Sequence, residues 1–204
     1  AIPVQVDITT QLDVTSAFDK VYEIFGDLSG VIHVAAAESL SAFDEVSEGE
    51  LAELLNENLR STFLLLKATA RHLEEGYFVL VLPPLSADEP HVLAVRGAMI
   101  EMVRGFQKKY SHVRVNLVTP SRSPSDPKHD APLVKTVRYF ASSASDGISG
   151  HELKVTLPAP PKILESLLPE VQAALDTSVR QADLEASVYG DEDEEELESA
   201  ERVG

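Results

Sequence analysis

Gly30-Val31-Ile32-His33-Val34-Ala35-Ala36-Ala37 is a short apolar run entered from a turn, and its β-branched residues suit a strand buried on both faces of a parallel sheet. Upstream, Val14, Ala17, Phe18, Val21, Tyr22 and Phe25 recur at the three-and-four spacing of one helix face, with Asp13 or Thr15 as cap and Gly26 as terminator. Further back, Ile2, Val4, Val6 and Ile8 alternate as in a strand that ends at Asp7–Thr10. Downstream, Leu51, Leu54, Leu55, Leu59, Phe63, Leu66 and Ala70 mark a long helix over Ser47–His72. Tyr77–Leu82 is the next buried run, closed by Pro83-Pro84; a helix over Val92–Lys109 and a strand over Val113–Val118 follow. Strand and helix alternating with short connections predict a doubly wound parallel α/β sheet with right-handed crossovers. Its ligand crevice should lie beyond the carboxyl ends of the strands, lined by Asp7, Ala35 to Ala37, Pro83 to Ser86 and Pro120 to Ser123.

A further helix near Ala131–Ser142 and a strand at Glu152–Thr156 complete an α/β domain over residues 1–157. Pro158, Pro160 and Pro161 then interrupt the pattern, and residues 158–190 read as a helical extension. Residues 191–204 hold eight acidic side chains against Arg202 and read as a solvated, disordered tail.

With 204 residues and 44% apolar content the chain can bury one core of ordinary size. The 17 basic and 34 acidic residues give a net charge of -17, which repels nucleic acid and anionic membranes, so neither is expected as a partner. The absence of Cys excludes disulfides, thiolate metal sites and cysteine nucleophiles, and no His pair has metal-ligand spacing, so no metal is expected. No apolar window approaches ~18 residues and the first twenty lack a signal-peptide plan, which leads to the expectation of a cytoplasmic protein.

Five local signals in order resemble the short-chain dehydrogenase/reductase family from its third strand to its last, over about Val4 to Val155. Val6-Asp7-Ile8-Thr9 resembles the strand-end Asp segment that contacts adenine, and Phe25–Ala37 resembles the stretch ending in Asn-Asn-Ala-Gly. Asn58–Phe63 is similar to the family's Asn-bearing helix, Arg114–Ser121 to its Val-Asn…Pro-Gly strand, and Gly147–Val155 to its closing strand. The resemblance implies a Rossmann-like fold in which NAD(P) is held by Asp7, Ala35, Ala36, Ala37 and Arg96. In that family a Tyr exchanges a proton with the substrate oxygen, a Lys four residues on lowers its pKa, and a Ser orients the carbonyl.

Aligned on Ala94 and Ala98, the chain carries Val92 at the Tyr position and Arg96 at the Lys position, while Pro83-Pro84 replace the Ser at the strand end. An isopropyl group exchanges no proton, and Arg96 keeps a cation in the wrong shape. Asn58 alone remains of the family's four catalytic positions. His91, Ser86, Tyr77 and Tyr110 are weighed as substitutes, and each reads better as a packing or turn residue; His33 reads as a hydrogen-bonded core histidine. No Gly-x-x-x-Gly-x-Gly turn occurs in the chain, and the Asn-Asn-Ala-Gly segment has become Val34-Ala35-Ala36-Ala37. The family's first strand–helix–strand unit has no counterpart.

The expectation is therefore a catalytically inactive member that binds no cofactor and serves as a structural or interaction subunit. It would meet a second copy or an active relative through helices 50–72 and 92–109, by way of Ala52, Leu55, Leu59, Leu66, Ala94, Ala98, Met102 and Phe106. The alternative is an NAD(P)-dependent oxidoreductase acting on a carbonyl or alcohol, with its cofactor-binding segment outside this sequence. Lys162–Ser187 is expected to cover sheet surface that the absent first unit leaves bare.

Overall fold

Thr10 opens the first helix, its hydroxyl accepting the Asp13 amide, so the cap of α1 (Gln11–Phe25) lies three residues before the expected Asp13 and five before the expected Thr15. Gly26 closes it with φ 75°, a left-handed conformation that glycine adopts without penalty. In the computed structural model, which describes residues 2–35, 37, 41–85, 88–125 and 129–159, single strands then alternate with helical regions. The elements are β1 (Gly30–Val34), α2 (Glu48–Leu54), a π-helical segment (Leu55–Arg60), α3 (Ser61–His72), β2 (Gly76–Val81), α4 (Pro90–Lys109), β3 (Val113–Pro120), α5 (Ala131–Phe140), a 3₁₀ turn (Ser143–Ser145) and β4 (Glu152–Val155). Two compact units divide the chain, Ala1–Pro158 and Ala159–Gly204, and the described elements all belong to the first. The expected helical extension, the acidic tail and the covering role of Lys162–Ser187 fall, beyond Ala159, outside the described residues.

The four strands are parallel in the order β1-β2-β3-β4, in a register that aligns His33, Leu80, Leu117 and Glu152 across the sheet. Period-two alternation splits the central strands between two cores. Phe78 and Leu80 of β2 with Val113, Val115 and Leu117 of β3 meet Val14 and Phe18 of α1, Leu64 of α3, and Val92, Val95, Met99 and Val103 of α4. On the opposite face Val79, Val81, Val118 and Val155 meet Leu133 and Phe140 of α5. Since α4 and α5 lie on opposite faces while the chain advances in one direction across β2, β3 and β4, the two connections have opposite hands. Right-handed crossovers therefore do not hold throughout: α4 already fills the first face, and the apolar second face of β2 and β3 needs its own cover.

Three expectations are corrected. Residues 2–7 belong to no strand, because alternation supplies a pattern but not a partner, and β1 is hydrogen-bonded to β2 alone. The run at Gly30–Val34 is buried on one face only: His33 is 3% exposed, whereas Ile32 and Val34 are 47% and 53% exposed, since no described helix covers the second face at the sheet edge. The helix over Ser47–His72 is interrupted by the π-helical segment around Asn58.

Gly76, φ 148°, starts β2 where an added Cβ would lie 2.3 Å from the backbone oxygen of Ser29, whereas Gly97 in α4 has open space around that position. Gly76→Ala should lower the unfolding free energy by about 2–3 kcal/mol. Gly97→Ala should raise it by about 0.5–1 kcal/mol, read for both by urea denaturation.

Candidate functional site

The crevice beyond the carboxyl ends of the strands begins at the Asp7–Thr10 turn. Thr10 N–H donates to the Asp7 carbonyl at 3.1 Å, and the Asp7 carboxylate accepts from the Thr9 hydroxyl at 2.6 Å and the Thr9 amide at 2.8 Å. Those two donors, the hydroxyl foremost, hold the Asp7 carboxyl below the usual carboxylate range. Asp7, Ile8 and Thr9 border a recess of about 460 Å³ with Val34, Ala37 and Glu57. The structure thus brings Asp7 and Ala37 together. Ala35 is buried beneath them, its amide donating to Val81 at 3.0 Å, and Ala36 lies outside the described residues.

Asn58 is fully buried, and its amide donates to the Ala37 carbonyl at 2.8 Å, which ties the helix to the loop after β1. Its side-chain oxygen finds no partner among the described residues. The Asn58 backbone oxygen accepts from the Thr62 hydroxyl at 2.6 Å and from that of Ser61 at 3.1 Å; Ser61 also donates to the Glu57 carbonyl. Hydroxyls competing for helix carbonyls bend a helix, and here they accompany the π-helical turn at Asn58. His33 of β1 reaches the same Ser61 oxygen through Nε2 at 3.1 Å. Burial pushes the His33 imidazole down to about 4, favouring the neutral form.

The remaining positions are engaged in packing and ion pairing. Val92, where the resemblance requires a Tyr, is 2% exposed and belongs to the core under α4. Arg96, where it requires a Lys, pairs with Glu152 of β4 at 2.8 Å and donates to the Thr119 hydroxyl at 3.3 Å, and that hydroxyl donates to Glu152 at 2.7 Å. The Arg96 guanidinium is turned to the sheet and not to the Asp7 recess. His91 is buried and stacks on Phe43 with ring centroids 6.2 Å apart. Tyr77 and Tyr110 lie near the amino ends of β2 and β3, away from the crevice, and Ser86 is outside the described residues.

These residues fit the adenosine end of a dinucleotide and not the whole of it. The recess beside Asp7 can take a flat ring, but the chain has no Gly-x-x-x-Gly-x-Gly turn for a pyrophosphate, and Arg96 is committed to Glu152. Among the described residues no group of three or more His, Asp or Glu could hold a metal, and no helix is long and apolar enough to cross a membrane.

Sequence reasoning missed the Arg96–Glu152–Thr119 cluster, although one carboxylate in the otherwise short closing strand is a usable signal. It also missed the loop after β3, where Arg122 pairs with Asp130 at 3.3 Å and donates to the Pro158 carbonyl at 2.8 Å. Of the positions expected at a helix–helix contact, Leu66 and Phe106 are buried in this chain's own core. Ala52, Leu55, Ala94 and Ala98 are exposed, Leu59 and Met102 half-buried, and Phe63 and Leu93 add large exposed side chains.

A family profile described as enoyl-(acyl carrier protein) reductase matches residues 1–126. A short chain dehydrogenase of Claviceps purpurea is 26% identical over 137 residues, covering 63% of this chain and 52% of that protein. A short chain dehydrogenase/reductase of Aspergillus aculeatus is 27% identical over 140 residues, with 63% and 52% covered. The chain thus spans about half the length of the curated relatives it matches. Among solved structures, a short chain dehydrogenase from Burkholderia cenocepacia in complex with NADP superposes with TM-score 0.64 at 22% identity over 75% of this chain and 74% of that one. A short-chain type dehydrogenase/reductase from Mycobacterium marinum superposes with TM-score 0.68 at 18% identity over 76% and 73%. These likenesses establish the fold.

The depressed His33 value makes stability depend on pH with a definite sign. As pH falls through 6.5 the unfolded chain takes up a proton that the folded chain refuses until about 4, so stability present above pH 6.5 is lost across that window. His33→Gln should remove up to about 3 kcal/mol of that loss, measured as the difference between the two unfolding free energy profiles from pH 7.5 to 4.

Proposed function

Because the chain belongs to the short-chain dehydrogenase/reductase family, we propose that it is a member without hydride-transfer activity of its own, serving as a structural or interaction subunit. The observation that carries this reading is Val92: the position from which a proton must be passed holds a buried isopropyl group. Arg96 supports it, because a guanidinium paired with Glu152 neither lowers a neighbouring pKa nor steers a ribose. Carbonyl reduction needs a hydride delivered to carbon and a proton delivered to oxygen, and the Val92 side chain cannot supply the second. Asn58, kept and buried, acts here as a strut between the π-helical turn and Ala37.

In this reading the molecule is retained for its surface. The association runs through helices 50–72 and 92–109, whose exposed Leu55, Phe63, Leu93 and small residues Ala52, Ala94, Gly97 and Ala98 permit close helix contact with a second copy or an active relative. A second reading is favoured by one observation, that about half the length of the curated relatives lies outside the match. In it, residues beyond these 204 complete a dinucleotide site to which Asp7 and the Ala35–Ala37 segment contribute the adenosine end, and the whole is an NAD(P)-dependent oxidoreductase.

Calorimetric titration with NADH and NADPH, run beside turnover assays on aldehyde and ketone panels, separates the two. The inactive subunit gives no turnover, and any nucleotide heat is abolished by Asp7→Ala and unaffected by Arg96→Met. Turnover that falls about 100-fold or more in Asn58→Ala, the scale of a lost acid–base contribution, would overturn the proposal.

A further inference from the structure

Pro120 and Val155 are the last pair in the register of β3 and β4, and three bonds carry the contact beyond it. Ser121 N–H donates to the Val155 carbonyl at 2.8 Å, Leu157 N–H donates to the Ser121 hydroxyl oxygen at 3.0 Å, and Arg122 Nε–H donates to the Pro158 carbonyl at 2.8 Å. The same guanidinium donates through Nη1 to the Ser123 carbonyl at 2.7 Å and the Ser125 hydroxyl at 3.2 Å, and sets Nη2 3.3 Å from the Asp130 carboxylate. Asp130 also accepts the Ser125 amide at 2.8 Å. One side chain thus meets three separated stretches: the loop after β3, the residue before α5 and the exit from the α/β unit at Pro158. Leu85, in the loop after β2, donates its amide to Pro120 at 2.9 Å, so this joint borders the carboxyl-end crevice.

Arg122 and Asp130 are 19% and 10% exposed in their side chains, and withdrawing both charges from water offsets most of their attraction. The pair therefore adds little net stability, and its use lies in the geometry it fixes. Only the planar fork of an arginine reaches all three stretches at once; an ammonium is a single point. The ordinary alternative is packing, since Leu157 is 5% exposed in the cluster of Leu133 and Phe140 and can anchor the exit on its own. Packing at Leu157 accounts for the exit alone, and not for a cation that also gathers Ser123, Ser125 and Asp130.

We propose that Arg122 is the joint of a strap across the crevice rim: residues 121–125 and residues 155–158 are latched to each other through its guanidinium and release together, so that displacing either one loosens the other. The rim is thereby coupled to the point where the chain leaves the unit, whether or not the crevice turns over a substrate.

Amide hydrogen exchange, followed by NMR on the ¹⁵N-labelled full chain, tests the joint at two reporters. The Leu157 and Ser125 amides bond to Ser121 and Asp130 and not to Arg122, so they sense it only through the strap. Arg122→Met should raise exchange at both by about 10-fold or more, while the Leu117 amide, bonded to His151 at the β3–β4 edge, stays within about 2-fold of the natural chain. Arg122→Lys, which keeps the charge and loses the fork, should do the same. Ser121→Ala removes the acceptor of the Leu157 amide and should in turn raise exchange at Ser125 by about 3-fold or more, because coupling is reciprocal. No rise in Arg122→Met, or a rise at only one of the two reporters, means that packing holds the exit and overturns the proposal. Natural exchange in Arg122→Lys, an unchanged Ser125 amide in Ser121→Ala, or an equal rise at Leu117 in Arg122→Met overturns it as well.

Discussion

Two strands buried on both faces constrain everything else in this molecule. β2 and β3 present Phe78, Leu80, Val115 and Leu117 to one side and Val79, Val81 and Val118 to the other, all within 3% of full burial. A parallel pair so placed needs a helix layer on each face, at about 25 cal/mol per Å² of apolar area removed from water. α4 answers on the first face with Val92, Val95, Met99 and Val103, a stripe that fixes the rotation of the helix. Once that rotation is fixed, Val92 lies in the core and Arg96 lies over Thr119 and Glu152. The absence of a tyrosine at position 92 and the integrity of the packing are therefore one fact seen from two sides.

The fold was legible in the sequence where periodicity reports burial. The apolar runs at Tyr77–Leu82 and Val113–Val118 and the helix faces of α1, α3 and α4 follow directly from spacing, because those elements are closed in by neighbours. The strand at Ile2 to Ile8 and the second buried face of the Gly30–Val34 strand are absent for one shared reason. Alternation or an apolar run reports what a strand could bury, whereas strand formation and burial depend on a partner edge and a covering layer. The π-helical turn at Asn58 was illegible because it accompanies hydroxyl competition at Ser61 and Thr62, a local geometry without a hydrophobic signature.

The candidate site was half legible. Asp7 and Ala37 share a recess, and Asn58 is tied to Ala37 by its amide. What the residues could not tell was the fate of Arg96. Its cation matched the resemblance in charge, and only the register of β4 against β3, which brings Glu152 beside Leu117 and next to Thr119, reveals that the charge is spent on the sheet. A side chain that holds a cofactor in other members of the family becomes here a brace between helix and edge strand.

The brace can be measured directly by a double-mutant cycle on Arg96→Met and Glu152→Gln, with unfolding free energy as the readout. Arg96 and Glu152 are 11% and 21% exposed in their side chains and share the Thr119 hydroxyl, so a coupling of about 1–3 kcal/mol is expected. Additivity of the two substitutions within about 0.3 kcal/mol would mean that Arg96 is not held by the sheet, and would contradict the account of Arg96 as a brace between α4 and β4.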